Sequence, residues 1–363
     1  MPQHTASNSN AAVPKVEVRP DLTAKAFSPQ NAFFFATLSK IAYRPKNEAK
    51  GRLVGNSTSE GLGFDRFHWF EAGEEAATSL FDAIQDTEAY VAANDDMIVV
   101  VFRGTKEAPD WATNLRVTTR ECRTSWKVPG GVIHEGFDDG INSVWGSGGM
   151  YETIKKLYNE KGKDRKLFIS GHSLGGALAT IAAAHLAFED DMDISGIYTM
   201  GSPRVFDSAV ANFFDAKVNH GKTLKAKYFR CRNNNDIVAR VPTFPYQHVG
   251  TEIYLDRFGT IDATSLVDRL LGRLTAYLRG EFIEDINDHA TSEYVRLFKQ
   301  VVINSRVSLV DKAKNVVLDA AGGLARKVAP ELAETNAKVK DMKKRADLIE
   351  DVKAMAREAA LDF

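Results

Sequence analysis

Apolar residues along the chain form short continuous runs in some segments and recur at helical spacing in others. Residues 97–102, MIVVVF, are a continuous run rich in β-branched residues, which is typical of a strand buried on both faces of a parallel sheet. The stretches 195–202 (SGIYTMGS) and 224–232 (LKAKYFRCR) are also strand-like, and each follows a helical segment. Strands that alternate with helices predict an α/β fold with a mostly parallel central sheet flanked by helices.

The N-terminal part of the chain divides near residue 27. Residues 1–26 are rich in Ser, Asn, Ala and Pro, so we expect a disordered leader there. Ser28 is suited to a helix N-cap and Pro29 to the first helical position. The helix that follows carries Phe34, Leu38 and Ile41 on one face. We therefore expect one large domain over residues 27–304.

The pattern changes again after residue 304. Gly322-Gly323 and Pro330 separate two helical segments, and in the second of them apolar residues recur at spacings of three and four between Val339 and Ala356. The intervening positions carry Lys and Arg alternating with Asp and Glu, which predicts an amphipathic helix with a charged outer face. Residues 305–363 are thus expected to form a helical C-terminal extension. It either packs on its own domain, self-associates, or docks on a membrane or partner.

Composition and charge exclude some classes of protein and leave others open. The formal net charge of −1 over 363 residues gives no reason to expect nucleic acid as a partner. No stretch approaches the roughly 18 apolar residues of a membrane span, and the N-terminus lacks the apolar core of a secretory signal. We therefore expect a cytoplasmic protein, one exported without a visible signal peptide, or one shown without its leader. Cys122 and Cys231 are expected to be independent thiols, with a single bridge as the alternative.

The segment 166–179, KLFISGHSLGGALA, combines a short apolar run, a turn and a helix-forming run of small residues. Strand, sharp turn and helix are the context of a nucleophile elbow, whose strained turn lifts a serine hydroxyl clear of the sheet. Gly171 and Gly175 lie two residues before and after Ser173, where larger side chains would clash with neighbouring backbone. The pattern favours Ser173 as a nucleophile over the alternative of a plain turn.

A serine hydroxyl needs a general base, and in elbow enzymes the chain order is serine, acid, histidine. The acid should follow a strand of the sheet. Asp236 meets this condition because it comes just after the strand-like YFRCR, although an Asx turn is the alternative explanation for it. The acidic residues at 190, 191 and 193 follow a helix instead, which places them at the wrong end of the sheet.

Chain order also restricts the base. His185 lies within the helix that begins after Ser173 and cannot turn back to it, and His220 precedes Asp236. His248 and His289 remain. His248 lies in a segment that alternates like a strand, whereas His289 lies at a loop-to-helix junction from which a side chain projects freely. We therefore favour His289 as the base and keep His248 as the alternative.

A site built on a serine nucleophile of this kind also needs an oxyanion hole. One donor is expected from the backbone N–H of the residue after the nucleophile, which is Leu174. A second should come from the loop after an earlier buried strand. The run 97–102 leads into Arg103-Gly104-Thr105, where Thr105 offers both an N–H and a hydroxyl. A simple turn residue is the alternative role for Thr105.

Taken together, these motifs resemble the class 3 lipases, an α/β-hydrolase family that includes secreted fungal triacylglycerol lipases. The likeness covers roughly residues 30–300. It rests on VFRGT (101–105), DWATNL (110–115), HEGF (134–137), GHSLGGALAT (171–180), MGSPRVFD (200–207), NNNDIVARVP (233–242), HVGTEIY (248–254) and DH (288–289). The chain departs from the fungal enzymes in showing no signal peptide and no disulfide framework, and its tail has no counterpart.

The resemblance implies an α/β-hydrolase fold and a role for each candidate residue. It implies Ser173 as nucleophile, Asp236 as acid and His289 as base, with His248 as a scaffold residue. Thr105 and Leu174 are implied as the oxyanion hole. The implied lid runs from about Lys106 to Thr113 and includes Asp110, with Trp111 as its apolar contact. No metal or organic cofactor is implied.

The implied activity is hydrolysis of the carboxylic esters of lipids through an acyl-enzyme, by a triacylglycerol lipase or esterase. The expected partner is a lipid or ester substrate, met at a lipid–water interface. The first alternative is a phospholipase A1 or galactolipase. A non-catalytic module that docks on membranes or acts in signalling is less favoured, because serine, acid and histidine are all present.

Overall fold

A computed structural model describes residues 16–55, 60–72, 87–105, 118–146, 149–160, 164–234, 236–255, 261 and 289–306. Two predicted features lie outside these ranges. They are the lid residues Lys106, Asp110, Trp111 and Thr113, and the tail beyond Arg306.

A mixed sheet forms the centre of the described part of the chain. Its seven strands lie in the order β1-β2-β3-β6-β7-β11-β13. The pairs from β3 to β13 are parallel, and β1 and β2 add an antiparallel edge. The strands are β1 (Arg66–Glu71), β2 (Glu88–Ala93), β3 (Met97–Phe102), β6 (Lys166–His172), β7 (Ile194–Met200), β11 (Tyr228–Asn233) and β13 (Thr251–Leu255). The predicted α/β class with a mostly parallel sheet is confirmed.

A second, smaller sheet has the strand order β12-β8-β5-β4. Its strands are short: β4 (Thr119–Glu121), β5 (Val132–His134), β8 (Phe206–Asp207) and β12 (Tyr246–Gln247). A two-stranded ribbon joins β9 (Val218–Asn219) to β10 (Lys222–Thr223). In this small sheet β8, which follows β7, pairs with β12, which follows β11. The pairing connects the loops that leave the carboxyl edge of the main sheet.

Helices cover both faces of the main sheet. They are α1 (Pro29–Ile41), α2 (Lys46–Val54), α3 (Glu135–Trp145), α4 (Met150–Glu160), α5 (Leu174–Phe188), α6 (Ser208–Ala216), the single turn α7 (Leu224–Lys227) and α8 (Thr291–Arg306). Apolar residues of α3, α4 and α5 form one core with the sheet, and those of α1 and α8 form the other. Because strands such as β3 are buried on both faces, they need apolar residues at every position.

The first helix begins where the sequence predicts. The Ser28 side chain accepts a hydrogen bond from the Asn31 N–H at 3.3 Å, and Pro29 occupies the first turn. Phe34, Leu38 and Ile41 are all buried. The α1 helix packs on α8, so the N-terminal and C-terminal ends of the described chain form one layer.

The structure differs from the sequence prediction at two places. Within the predicted leader, residues 16–26 contact the domain: Val16 is buried, and the Gln30 amide donates to the backbone oxygens of Glu17 and Arg19. Residues 1–15 lie outside the described ranges. The predicted strand 224–232 begins only at Tyr228, because Thr223 caps the helical turn before it by accepting from the Ala226 N–H.

The helices and the two cysteines of the described residues bear on membrane association and on disulfide formation. None of the helices in these ranges has both the length and the apolar character that crossing a bilayer requires. Cys122 and Cys231 are free thiols.

Candidate active site

Ser173 lies at the junction of β6 and α5, where the chain turns sharply. Its backbone has φ 59° and ψ −131°, a conformation that non-glycine residues rarely adopt. Such strain persists only where the surroundings impose it, and it is concentrated at functional sites. Ser173 is fully buried, and its Oγ has no hydrogen-bond partner within the described residues. The strained turn therefore presents a serine hydroxyl that is free to form a hydrogen bond with another group.

The two flanking glycines permit this turn because no side chain fits at either position. A Cβ on Gly171 would lie 2.1 Å from the backbone oxygen of Gly175. A Cβ on Gly175 would lie 2.2 Å from the backbone oxygen of Phe102, at the end of β3. The G-x-S-x-G spacing thus reflects contact of the turn with itself and with the neighbouring strand.

Asp236 and His289 form a buried pair, although 53 residues separate them in the sequence. Asp236 follows β11, and His289 lies two residues before α8. The Nδ1 atom of His289 is 2.9 Å from Oδ1 and 3.0 Å from Oδ2 of the carboxylate. The opposite ring nitrogen, Nε2, is buried and has no hydrogen-bond partner in the described ranges. The pair therefore has one histidine nitrogen bound to an acid and the other unengaged.

Gly201, just after β7, allows the acid and the histidine to meet. Its φ is +58°, and a Cβ there would lie 2.4 Å from Asp236 Oδ2 and 2.8 Å from His289 Nδ1. This glycine, near the end of the predicted strand stretch 195–202, is thus in direct contact with the pair.

A third side chain, Tyr294, holds the acid from the opposite side. Its hydroxyl donates to Asp236 Oδ2 at 2.6 Å and accepts from the Asn233 N–H at 2.9 Å. Sequence reasoning missed Tyr294. The sequence feature that could have indicated Tyr294 was its position five residues after His289, in the helical segment that follows the histidine.

The charge of Asp236 is stabilised by its partners. Burial raises the pKa of this carboxyl, but the nearby His289 and the hydrogen bonds from His289 and Tyr294 outweigh it, so the net pKa lies below the ordinary value. Asp236 is therefore an ionised acceptor at neutral pH.

The two predicted oxyanion donors lie on segments that flank Ser173. Leu174 is the first residue of α5, where backbone N–H groups have no acceptor within the helix. Thr105 follows β3, the parallel neighbour of β6. A Cβ on Gly104 would lie 2.9 Å from the Cβ of Ser173, so the loop that carries Thr105 lies against the elbow.

Comparison with known proteins agrees with this geometry. Residues 99–246 match the family model of the class 3 lipases. This segment, about two fifths of the chain, is therefore similar to the class 3 lipases. The matched residues include Ser173, Leu174, Thr105 and Asp236. His289 lies beyond them.

Individual relatives extend the comparison. The chain is 34% identical over 172 residues to a secreted mono- and diacylglycerol lipase of Fusarium solani, covering 46% of this chain and 47% of that relative. It is 32% identical over 179 residues to a lipase of Rhizomucor miehei, covering 47% of this chain and 46% of that relative. The chain thus spans about half the length of these curated relatives.

A solved structure shows the fold. The triacylglyceride lipase of Rhizomucor miehei superposes with a TM-score of 0.50 at 26% identity, covering 63% of this chain and 82% of that structure. The architecture is the α/β-hydrolase fold, as the resemblance implies. Residues 99–246, which match the class 3 lipase model, contain most of the parallel strands and the elbow.

The other histidines after the elbow are engaged elsewhere. His185, on α5, packs between Trp126 and Trp145. His220 lies in the turn of the β9–β10 ribbon and contacts the backbone oxygen of Asp191 at 2.7 Å. His248 contacts the backbone oxygen of Ala239 at 2.7 Å, and burial lowers its pKa well below the ordinary value. Of these four histidines, His289 is the one that the structure brings to Asp236.

Among the described residues, no group of His, Cys, Asp or Glu has an arrangement suited to a metal ion.

Proposed function

We propose that this protein hydrolyses the carboxylic esters of lipids through an acyl-enzyme formed on Ser173. The observation that carries the proposal is the buried Asp236–His289 pair, whose histidine packs on His172, the residue before the strained elbow serine. The class 3 lipase segment and the names of its relatives support lipid esters as the substrate class.

In the proposed reaction, His289 Nε2 takes the proton of Ser173 as Oγ attacks the ester carbonyl carbon. The carbonyl π electrons move to oxygen, and the resulting oxyanion accepts hydrogen bonds from the Leu174 N–H and from Thr105. The tetrahedral intermediate collapses, the bond to the alcohol oxygen breaks, and His289 gives its proton to the leaving alcohol. The acyl group remains on Ser173.

A water molecule then repeats the sequence. His289 removes a proton from the water, whose oxygen attacks the acyl carbon. The bond to Ser173 Oγ breaks, the carboxylic acid leaves, and the proton returns to the serine. In both halves Asp236 keeps the His289 ring in one orientation and stabilises its protonated form. The low pKa of the Asp236 carboxyl supports this role, because the negative charge is in place before the imidazolium forms.

The relatives also bear on the substrate and on the place of action. The Fusarium solani relative is named for mono- and diacylglycerols, and the solved Rhizomucor miehei structure is that of a triacylglyceride lipase. Neutral acylglycerols are accordingly the favoured substrates. The description of the first relative as secreted favours export over a cytoplasmic location for this chain.

A substrate panel on the wild type and Ser173→Ala tests the proposal. Triacylglycerol, phospholipid, galactolipid and a short p-nitrophenyl ester are assayed in parallel. We expect triacylglycerol and short-ester hydrolysis by the wild type and a loss of at least about 1,000-fold in Ser173→Ala. Ser143→Ala is the matched control, because this serine lies on α3 and its hydroxyl donates to the Gly140 backbone oxygen.

The panel separates the rival activities. Preferential release of fatty acid from phospholipid or galactolipid would replace the acylglycerol assignment with a phospholipase A1 or galactolipase. A wild type inactive on every substrate would favour a non-catalytic docking module. Undiminished activity in Ser173→Ala would contradict the proposed nucleophile.

A further inference from the structure

His172, the residue before the proposed nucleophile, is buried and makes two hydrogen bonds through its ring. Its Nδ1 is 2.7 Å from the hydroxyl of Tyr43, which follows α1. Its Nε2 is 2.5 Å from the backbone oxygen of His289. One side chain of the elbow strand therefore connects the N-terminal helix to the main chain of the proposed base.

The protonation of this ring follows from its partners. Burial lowers the pKa of His172 to about 3, assisted by His289, so the ring is neutral near neutral pH. A neutral imidazole has one N–H and one acceptor nitrogen. Since the His289 carbonyl only accepts, Nε2 carries the hydrogen, and Nδ1 accepts from the Tyr43 hydroxyl. The direction of both hydrogen bonds is thereby fixed.

Tyr43 also contacts the loop of the proposed oxyanion hole. A Cβ on Gly104 would lie 2.4 Å from the Tyr43 hydroxyl oxygen and 2.4 Å from the backbone oxygen of His172. Gly104 immediately precedes Thr105. The Tyr43 hydroxyl is therefore in contact with both the oxyanion loop and the ring that binds His289.

The ring of His172 also packs against the base itself. The centroids of the His172 and His289 rings are 4.5 Å apart, and the Tyr294 ring lies 6.0 Å from His172. Because His172 stays neutral, it places no positive charge beside the imidazolium that forms on His289 during the proposed reaction.

We propose that Tyr43 and His172 are positioning residues that fix His289 relative to the elbow and the oxyanion loop. The O–H of Tyr43 orients the His172 ring, and the Nε2–H of His172 holds the His289 carbonyl. Neither side chain transfers a proton to substrate. The proposal rests on the proposed function, since it assigns these residues to the same site.

Three substitutions test the proposal. Tyr43→Phe removes only the hydroxyl, His172→Phe keeps a ring but removes both hydrogen bonds, and His172→Gln keeps an N–H near the place of Nε2. Tyr90→Phe is the control for the tyrosine, because Tyr90 is fully buried and donates one hydrogen bond, to the Leu38 backbone oxygen at 2.9 Å. His185→Phe is the control for the histidine.

The steady-state constants kcat and KM are measured on a soluble p-nitrophenyl ester, with kcat expressed per folded molecule from circular dichroism. We expect kcat to fall about 3- to 10-fold in Tyr43→Phe, as for the loss of one hydrogen bond. We expect a fall of about 100-fold in His172→Phe, the scale of a misplaced catalytic group. KM should stay within about twofold of the wild type, because neither residue binds substrate.

Two further results are specific to positioning. The Gln variant should recover at least about 10-fold in kcat over His172→Phe. The double variant Tyr43→Phe/His172→Phe should resemble His172→Phe alone, because Tyr43 acts through His172. If His172→Phe does not fold, the role is tested by comparing kcat of Tyr43→Phe and His172→Gln with kcat of the controls Tyr90→Phe and His185→Phe.

These measurements separate a failure of the proposed function from a failure of the positioning role alone. Full activity in Ser173→Ala would overturn the proposed function and this proposal with it. Inactive Ser173→Ala, beside Tyr43 and His172 variants that lose no more kcat than Tyr90→Phe and His185→Phe, would overturn the positioning role alone. A double variant whose loss equals the product of the single losses would also overturn it.

Discussion

Asp236 has no exposed surface, yet two polar side chains keep its carboxylate charged. His289 binds it on one side, Tyr294 donates to it on the other, and Gly201 leaves room for the pair. A buried charge is tolerated only when it is paired and hydrogen-bonded. The acid of this site therefore depends on Tyr294 and Gly201 as well as on the histidine.

Tyr294→Phe tests the contribution of the tyrosine hydroxyl. A carboxyl with a lowered folded pKa contributes stability above its unfolded pKa, and this stability is lost as the pH falls through the folded value. Because Tyr294→Phe removes one cause of the lowering, we expect the variant to be less stable at pH 7 by about 1–3 kcal/mol. The difference should narrow below about pH 4.

Urea unfolding of both proteins at pH 7 and pH 3 measures this difference. Tyr90→Phe serves as the control, since its hydroxyl binds a backbone oxygen and its penalty should be the same at both pH values. A Tyr294→Phe penalty that does not change with pH would argue against a role in stabilising the Asp236 charge.

At the residue scale, the sequence predicted one contact of the site and missed others. Chain order and strand context favoured Asp236 and His289, and the structure brings these two residues into contact. Tyr294 and Tyr43 were missed because their hydroxyls reach the site only through the packing of α8 and α1. His172 was visible inside the elbow motif, but its partners lie 129 residues before and 117 residues after it.

At the scale of elements, the contact between α5 and β3 sets the position of the elbow. Gly175 lies in the first turn of α5 against the backbone of Phe102. Alanine normally stabilises a helix relative to glycine by about 1 kcal/mol. Here the added Cβ would lie 2.2 Å from a backbone oxygen, so the helix or the strand must shift.

Gly175→Ala is therefore expected to destabilise the fold by about 1–3 kcal/mol, the usual scale of overpacking. Gly146→Ala is the matched control, because Gly146 has a helical backbone and a Cβ there would meet nothing within 4 Å. Urea unfolding compares the two. A Gly175→Ala protein as stable as the control would show that the glycine is not required by packing.

Continuous apolar runs were the sequence features that best predicted the strands. The run 97–102 is β3 over its full length, and the strand predicted at 195–202 is β7 (Ile194–Met200). Local capping was not visible from hydrophobic pattern, so the Thr223-capped turn α7 was read as part of a strand. Residues 16–26 are held on α1 by long-range contacts, since the side-chain amides of Gln30 and Asn31 donate to backbone oxygens of this stretch.

For the whole molecule, burial of the site has a consequence for substrate access. Ser173, Asp236 and His289 are each at most 2% exposed. An ester carbonyl must reach Ser173 Oγ, so we expect the covering residues to open, in line with the lid predicted at residues 106–113. Opening that exposes apolar surface is favoured at a lipid–water interface.

The expected result is a rate that rises steeply once a tributyrin-type ester exceeds its solubility limit. Hydrolysis is followed by titration of released acid across that limit. A rate that passes smoothly through the limit, following ordinary saturation, would contradict interfacial opening.

The α/β class of the whole molecule was predictable from the alternation of strand and helix patterns in the sequence. The observed α/β-hydrolase fold agrees with that prediction. Strand order and the two-sided core depend on long-range pairing, such as β11 between β7 and β13, which no local pattern specifies. The division of the C-terminal part at residue 305 remains a prediction, with α8 extending to Arg306.

The central claim is that Ser173 is an activated nucleophile. Its most direct test is labelling with a fluorophosphonate, followed by mass spectrometry of the modified peptide, in the wild type, Ser173→Ala and the control Ser143→Ala. Stoichiometric label on Ser173 in the wild type and in Ser143→Ala, with none in Ser173→Ala, is the predicted result. An unlabelled Ser173 in an enzyme that hydrolyses esters, or equal labelling of Ser173→Ala, would contradict the claim.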